Sequence, residues 1–379
     1  MAGLRFASEE CIIHTVFYGD IITLNVNKKQ KRLDSLVRLA QKRRLDAVVV
    51  FGQKNILSLT GVDCDNGCLV VSPSIVRYMT DFRYIPAVRR IAPWLKPQQC
   101  SRDIMGAVIR LLRKIGPIRR LGFEGGEPAS RYIELSRRLP RTKCVDVGKD
   151  ILDLRAVKTA EENAQLASDE ALNDRIWTLA RQDFRVGMTE KDIQRIIRAY
   201  MNAMSDGEAF ETIVCVGANA AECHHVPDDT VWHGDEPLLV DMGVKLDGVC
   251  SDMTRCIFGK GHCAKSEYAK VYEIVLDANR AAIAAAKPGM TGKQLDAVAR
   301  RIIRKAGYGK AFGHALGHGV GFDIHEHPVA STHSNAVLKP GMVVTIEPGI
   351  YLPGKLGVRI EDLVVITETG CEVLSRSRK

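Results

Sequence analysis

A chain of 379 residues, 46% hydrophobic and 26% charged, is long enough for two domains with substantial cores and is not composed like a disordered chain. Net charge is +9, but the clusters at Lys28-Lys29-Gln30-Lys31-Arg32, Lys42-Arg43-Arg44 and Arg137-Arg138 are scattered among acids, with 6% aromatics; they read as solvated helix faces, and no nucleic-acid partner is expected. No apolar run nears the ~18–20 residues that cross a membrane, and eleven cysteines without paired C-x-x-C spacing read as reduced thiols of a cytoplasmic protein.

Residues 1–27 form a leader of unassigned role, in which Glu9, Glu10 and Asp20 interrupt any secretory apolar core. A basic helical segment follows, then Leu45-Asp46-Ala47-Val48-Val49-Val50-Phe51, which predicts a buried strand. From residue 160 the chain repeats itself. Gly187-Met188-Thr189 recurs as Gly289-Met290-Thr291, and Arg195-Ile196-Ile197-Arg198 as Arg301-Ile302-Ile303-Arg304. Each copy accompanies two predicted helices: Ala160 to Asp183 and Glu190 to Met204, then Ser266 to Ala286 and Gly292 to Lys305. Thr189 and Thr291 are the expected N-caps.

The acids follow the same period. Asp241 and Asp252 sit where the first half turns into strands; Glu347 and Glu361 hold the equivalent places in the second. A hairpin opposing Asp241 with Asp252 turns at Leu246-Asp247. A turn at Asp247-Gly248 shifts the register by two and still leaves both acids on one face. Glu347 and Glu361 centre on Gly354, inside Pro353-Gly354-Lys355. Two duplicated halves facing each other would pool four carboxylates in one cleft.

With His318, in His314-Ala315-Leu316-Gly317-His318-Gly319, these acids form a set of four carboxylates and one imidazole. Their formal charge of −4 would be cancelled by two divalent cations. Such donors suit manganese or cobalt, with iron and zinc as alternatives, and two ions about 3.5–4 Å apart can activate water for hydrolysis. His314 and His318 have the i, i+4 spacing of a zinc pair on a helix, but the motif's glutamate is missing and four neighbouring glycines oppose a regular helix.

The order Asp, Asp, His, Glu, Glu resembles the metallopeptidases of the pita-bread fold, family M24: methionine aminopeptidase, Xaa-Pro aminopeptidase, prolidase and creatinase. The resemblance spans roughly residues 31–376. It implies an α+β architecture, with a small α/β creatinase-like amino-terminal domain over 28–152 and a pseudo-twofold pita-bread catalytic domain over 153–379. By the family pattern Asp252 and Glu361 bridge both ions, Asp241 serves one, and His318 and Glu347 the other. His224, in Asn219-Ala220-Ala221-Glu222-Cys223-His224, is similar to the histidine that binds substrate and stabilises the tetrahedral intermediate. His325, in Gly321-Phe322-Asp323-Ile324-His325-Glu326, resembles the second active-site histidine. His225, His233 and His327 are expected to be ordinary surface or core residues.

Asn55-Ile56-Leu57-Ser58-Leu59-Thr60-Gly61, Tyr78-Met79-Thr80-Asp81-Phe82-Arg83-Tyr84 and Leu121-Gly122-Phe123-Glu124 resemble the amino-terminal domain of the prolidase and aminopeptidase P branch, and Arg359-Ile360-Glu361-Asp362 in the second domain resembles a motif of the same proline-directed branch. The resemblance implies a homodimer that removes an N-terminal residue preceding proline from a peptide. Glu347 would pass a proton toward the leaving nitrogen, and Arg359 would hold a substrate carboxylate or brace a metal-binding one, or form only a structural ion pair. Tyr351 is a candidate for the cleft wall. Xaa-Pro dipeptidase is the alternative activity, and a non-catalytic binding module of the same fold the minor one. The intact ligand set argues against creatinase.

Overall fold

The computed structural model describes residues 31–258 and 266–379. The expected leader over 1–27, and the start of the Lys28–Arg32 cluster, lie outside the described residues. The chain divides between Asp146 and Val147 into two compact units. The helix Gly148–Ala156, through which the expected boundary at 152 runs, stays whole in the second unit. Its Arg155 meets the buried Glu326 at 2.5 Å.

The first unit is a six-stranded mixed sheet. Its strand order is Pro97–Gln99, Val76–Thr80, Gly67–Val71, Ala47–Val50, Arg120–Phe123, Lys143–Asp146. Ala47–Val50 pairs antiparallel with Gly67–Val71 and parallel with Arg120–Phe123, and all four of its residues are fully buried. A continuous apolar run is what a strand covered on both faces requires. The helix Ile104–Ile115, capped by the Asp103 carboxylate accepting from the Gly106 amide, lays Val108, Ile109 and Leu112 against that sheet. The basic clusters outside the core behave as solvated faces: Arg137 and Lys42 are exposed, and Arg138 pairs with Glu134 one helical turn away at 2.9 Å.

The second unit is built twice. Helices Ala160–Ala180 and Glu190–Met204 precede a three-stranded sheet, ordered Met253–Ile257, Leu238–Met242, Ile213–Val216. Helices Glu267–Ala285 and Gly292–Lys305 precede a five-stranded sheet, ordered Glu326–Ala330, Gly317–Gly319, Val343–Ile346, Asp362–Ile366, Cys371–Val373. The first helix ends earlier than expected, because Gln182 and Asp183 close short turns on Leu179 and Ala180.

The repeat extends to single hydrogen bonds. Thr189 and Thr291 each form a capping box, with Asp192 and Gln294 respectively. Gly187 donates to the Trp232 carbonyl and Trp232 back to Met188; Gly289 donates to Leu338 and Leu338 back to Met290. Each Gly-Met-Thr word is thus clamped to a loop on the way to its sheet. Packing follows suit: Ile176, Trp177, Ile193 and Ile197 bury against Val214, Val240 and Met242, while Tyr272, Val275 and Leu295 bury against Val344, Ile346 and Val358. Among the described residues no helix is long and apolar enough to cross a membrane.

Candidate active site

Sheet register decides where the acids go. Leu246 pairs with Val249, leaving Asp247-Gly248 as a two-residue turn in which both φ angles are positive, at 50° and 79°. Of the two registers the sequence permits, this is the shifted one. Asp241 therefore faces Thr254, and Asp252 lies diagonally, on the same face. In the second half Ile346 pairs with Asp362 and Gly349 with Arg359, so Glu347 and Glu361 stand opposite each other between these pairs. His318 comes from the strand Gly317–Gly319, not a helix, which removes the zinc-pair geometry for His314. A side chain at Gly317 would overlap the Thr345 carbonyl, so glycine is what lets His318 enter beside Val343–Ile346.

The five donors converge. His318 Nε2 lies 3.3 Å from Glu347 Oε1 and 3.6 Å from Asp252 Oδ2. Donor atoms of Asp252, His318 and Glu361 all fall within 4.8 Å of one another. His318 Nδ1 is 3.1 Å from its neighbour Gly319's carbonyl, which turns Nε2 toward the acids. Arg359 is buried and spans the cluster: Nη2 donates to Asp241 Oδ2 at 2.5 Å, Nε to Thr254 Oγ1 at 2.9 Å, and Nη1 to the Tyr351 hydroxyl at 3.0 Å. Thr254 in turn donates to Glu361 Oε2 at 2.7 Å, and Thr345 to Glu347 Oε1 at 3.1 Å.

So many carboxylates in so little water resist ionisation. Burial, and then the charges of Glu361, Asp241 and Glu347, push Asp252 well above the usual range. Glu361 is raised well above it by burial and by Glu347 and Asp241. Burial lifts Glu347 to about 8, with Asp241 adding to the rise. Burial lowers His318, keeping its imidazole neutral and able to donate a lone pair. Asp241 Oδ1 is buried without a hydrogen-bond partner. Crowded like charges, one unpartnered buried oxygen and a neutral imidazole are a poor arrangement for a bare protein and a good one for two divalent cations.

These groups form one wall of a cavity of about 700 Å³ whose lining also includes His224, His314, His325 and Cys223. The His325 ring is 4.3 Å from that of His318, edge to face, and burial lowers its pKa. His224 is exposed to the cavity. All eight residues singled out from the sequence (Asp241, Asp252, His318, Glu347, Glu361, His224, His325 and Arg359) thus border one space. Tyr351 stands behind that wall, bonded to Arg359 and to His314 Nε2 at 2.9 Å. His225 is buried against Glu190, and His327 pairs with Asp153.

Sequence reasoning missed three neighbours. Thr254 links Arg359 to Glu361, and strand alternation two residues after Asp252 is the signal that could have found it. His314 lines the cavity although it is no metal partner of His318. Glu170, whose Oε2 accepts from the Asp252 amide at 3.3 Å, lies on a distant helix and carries no local signal.

Residues 162–368 match the model of metallopeptidase family M24, and residues 32–157 that of the creatinase/prolidase N-terminal domain. The chain belongs to metallopeptidase family M24. Its second unit has the pita-bread fold of M24, and its donor set is compatible with the two-metal site of an M24 metallopeptidase. An M24 relative, the Xaa-Pro dipeptidase of Pyrococcus horikoshii, is 31% identical over 93% of this chain and 98% of its own length. The solved Xaa-Pro dipeptidase of Bacillus anthracis is 30% identical with a TM-score of 0.87, covering 93% of this chain and 98% of that one. The solved X-Pro aminopeptidase of Thermotoga maritima is 30% identical with a TM-score of 0.82, covering 92% and 98%.

Proposed function

We propose that this M24 metallopeptidase hydrolyses the bond between an N-terminal residue and a following proline, as an Xaa-Pro aminopeptidase. The observation that carries the proposal is the convergence of Asp241, Asp252, His318, Glu347 and Glu361 on one wall of a cavity that also holds His224 and His325. The first four of these acids and imidazole named by position, with Glu361, would hold two divalent ions, manganese or cobalt by the preponderance of oxygen donors, with iron and zinc as alternatives. When bound, such ions supply Lewis acidity toward a peptide carbonyl and a nucleophile from water at neutral pH.

The protein's own groups do the rest. His224, exposed to the cavity, donates to the oxyanion that develops on the scissile carbonyl. Glu347, on the cavity wall within 3.3 Å of His318 Nε2, carries a proton from water to the leaving proline nitrogen. His325, stacked edge-on against His318, contacts the substrate from the same wall. Arg359 acts as a brace, fixing Asp241 through the 2.5 Å contact and Glu361 through Thr254.

Xaa-Pro dipeptidase activity is the second reading, favoured by relatives of that name from Pyrococcus horikoshii and Pyrococcus furiosus at 31% and 32% identity over more than nine-tenths of the chain. The test compares hydrolysis of an Xaa-Pro dipeptide, a longer Xaa-Pro peptide and a Met-Ala peptide, before and after chelation. Chelator-sensitive cleavage of the longer peptide supports the aminopeptidase reading; cleavage of the dipeptide alone supports the second. Cleavage of Met-Ala without Xaa-Pro overturns both.

A further inference from the structure

His224 sits on a loop, and loops hold a reactive group accurately only when something fixes them. The segment leaves the sheet at Val216, passes through a short 3-10 turn over Gly217–Ala221, and comes back to the start of the helix Glu190–Met204 at Asp228, before rejoining the sheet at Leu238. Beneath it lies Glu190, the first residue of the helix Glu190–Met204, with no exposed surface. Its Oε1 accepts from the Val216 amide at 2.7 Å and from Asn219 Nδ2 at 3.0 Å. Its Oε2 accepts from the Asp228 amide at 3.0 Å and from His225 Nε2 at 2.7 Å. One carboxylate therefore ties both ends of the loop and the residue beside His224. Among the described residues its ion-pair partner is His225 alone.

Donor atoms of Glu190, His225 and Asp228 also lie within 4.8 Å of one another, a spacing open to a metal ion. Both oxygens of Glu190 already accept two N–H groups each, which fills the carboxylate's lone pairs and leaves no seat for a cation. A buried charge satisfied wholly by hydrogen bonds from one loop is a fastening.

We propose that Glu190 is the positioning residue of the active site, fixing the loop over residues 216–228 so that His224 faces the carboxylate wall. The proposal rests on the reading of His224 above. Removing a hydrogen bond to a buried charge converts to about a ten- to hundredfold loss. The Glu190→Gln enzyme, metal-loaded, should therefore lose that factor in kcat/KM on an Xaa-Pro peptide, mostly in kcat, with unchanged metal content.

The deciding measurement is the Glu190→Gln change repeated in a His224→Ala background, where it should cost less than about twofold, since its effect runs through His224. The full factor in both backgrounds, or no loss in either, overturns the proposal. Should Glu190→Gln fail to fold, His225→Leu removes one of the four bonds while His225→Gln restores a side-chain N–H; loss in the first and recovery in the second are expected, and equal activities overturn it. Hydrogen exchange reads the loop without activity: the amides of Val216 and Asp228 should exchange faster in the variant while those of Leu238–Met242 do not, and uniform acceleration overturns the proposal. If His224→Ala alone is fully active, the functional reading fails, and the exchange result still decides the role of Glu190.

Discussion

Glu347→Gln should remove part of the pH dependence of folding stability in the chelated protein. Burial raises the Glu347 carboxyl from 4.5 to about 8. A group whose folded pKa lies above its unfolded value gives its full stabilisation below the unfolded value and loses it as pH rises through the folded one. Below pH 6.5 this trend is opposed. Burial holds His314 at about 4 and lowers His318 and His325, so their contribution grows as pH climbs to their unfolded value near 6.5. From pH 6.5 to 8 the remaining contribution of those histidines and the losses from the raised Asp252 and Glu361 carboxyls occur in wild type and variant alike, and the difference between the two proteins reads the fall from Glu347. At about 1.4 kcal/mol per pH unit, it amounts to about 2 kcal/mol. The side chain keeps 15% exposure at the cavity, which trims the figure to about 1–2 kcal/mol. Urea unfolding of chelated wild type and variant at pH 6.5 and 8 measures the difference. The wild type should lose about 1–2 kcal/mol more than Glu347→Gln across that interval. Equal changes in the two proteins would refute the reasoning.

Asp252→Asn holds permanently the neutral form that the crowded, buried site favours, so calorimetry of the chelated variant should find a higher Tm while metal content and peptidase activity collapse. Arg359→Met leaves Asp241 without its buried partner; urea unfolding should find about 3–5 kcal/mol lost in the chelated protein and less at saturating metal, which neutralises the same carboxylate. Thr291→Ala deletes one capping box and should cost about 1 kcal/mol of stability by denaturant unfolding, with kcat/KM on an Xaa-Pro peptide unchanged within about twofold.

Much of the second unit was legible because duplication writes the same local chemistry twice. Gly-Met-Thr needs a positive φ, a clamp and an N-cap, and the structure shows all three at Gly187–Thr189 and Gly289–Thr291. The convergence of the carboxylates was legible because hairpin parity is conserved: moving the turn to Asp247-Gly248 changed Asp241's partner to Thr254 but not its face. Arg359 as a brace for a metal-binding carboxylate was one of the expectations, but which carboxylate it meets was not legible. Arg359 reaches Asp241 across 118 positions, and Glu326 is met by Arg155 across 171 and by Lys158 across 168. No periodicity or spacing encodes contacts of that kind; they exist only once the sheets are assembled.

Equilibrium dialysis of the chelated protein against manganese, with Xaa-Pro hydrolysis followed in the same samples, tests the central claim most directly. Two ions per chain should bind, activity should return with them, and an Asp252→Asn/Glu361→Gln variant should recover neither. Undiminished binding in that variant, or full hydrolysis by the metal-free wild type, would contradict the account.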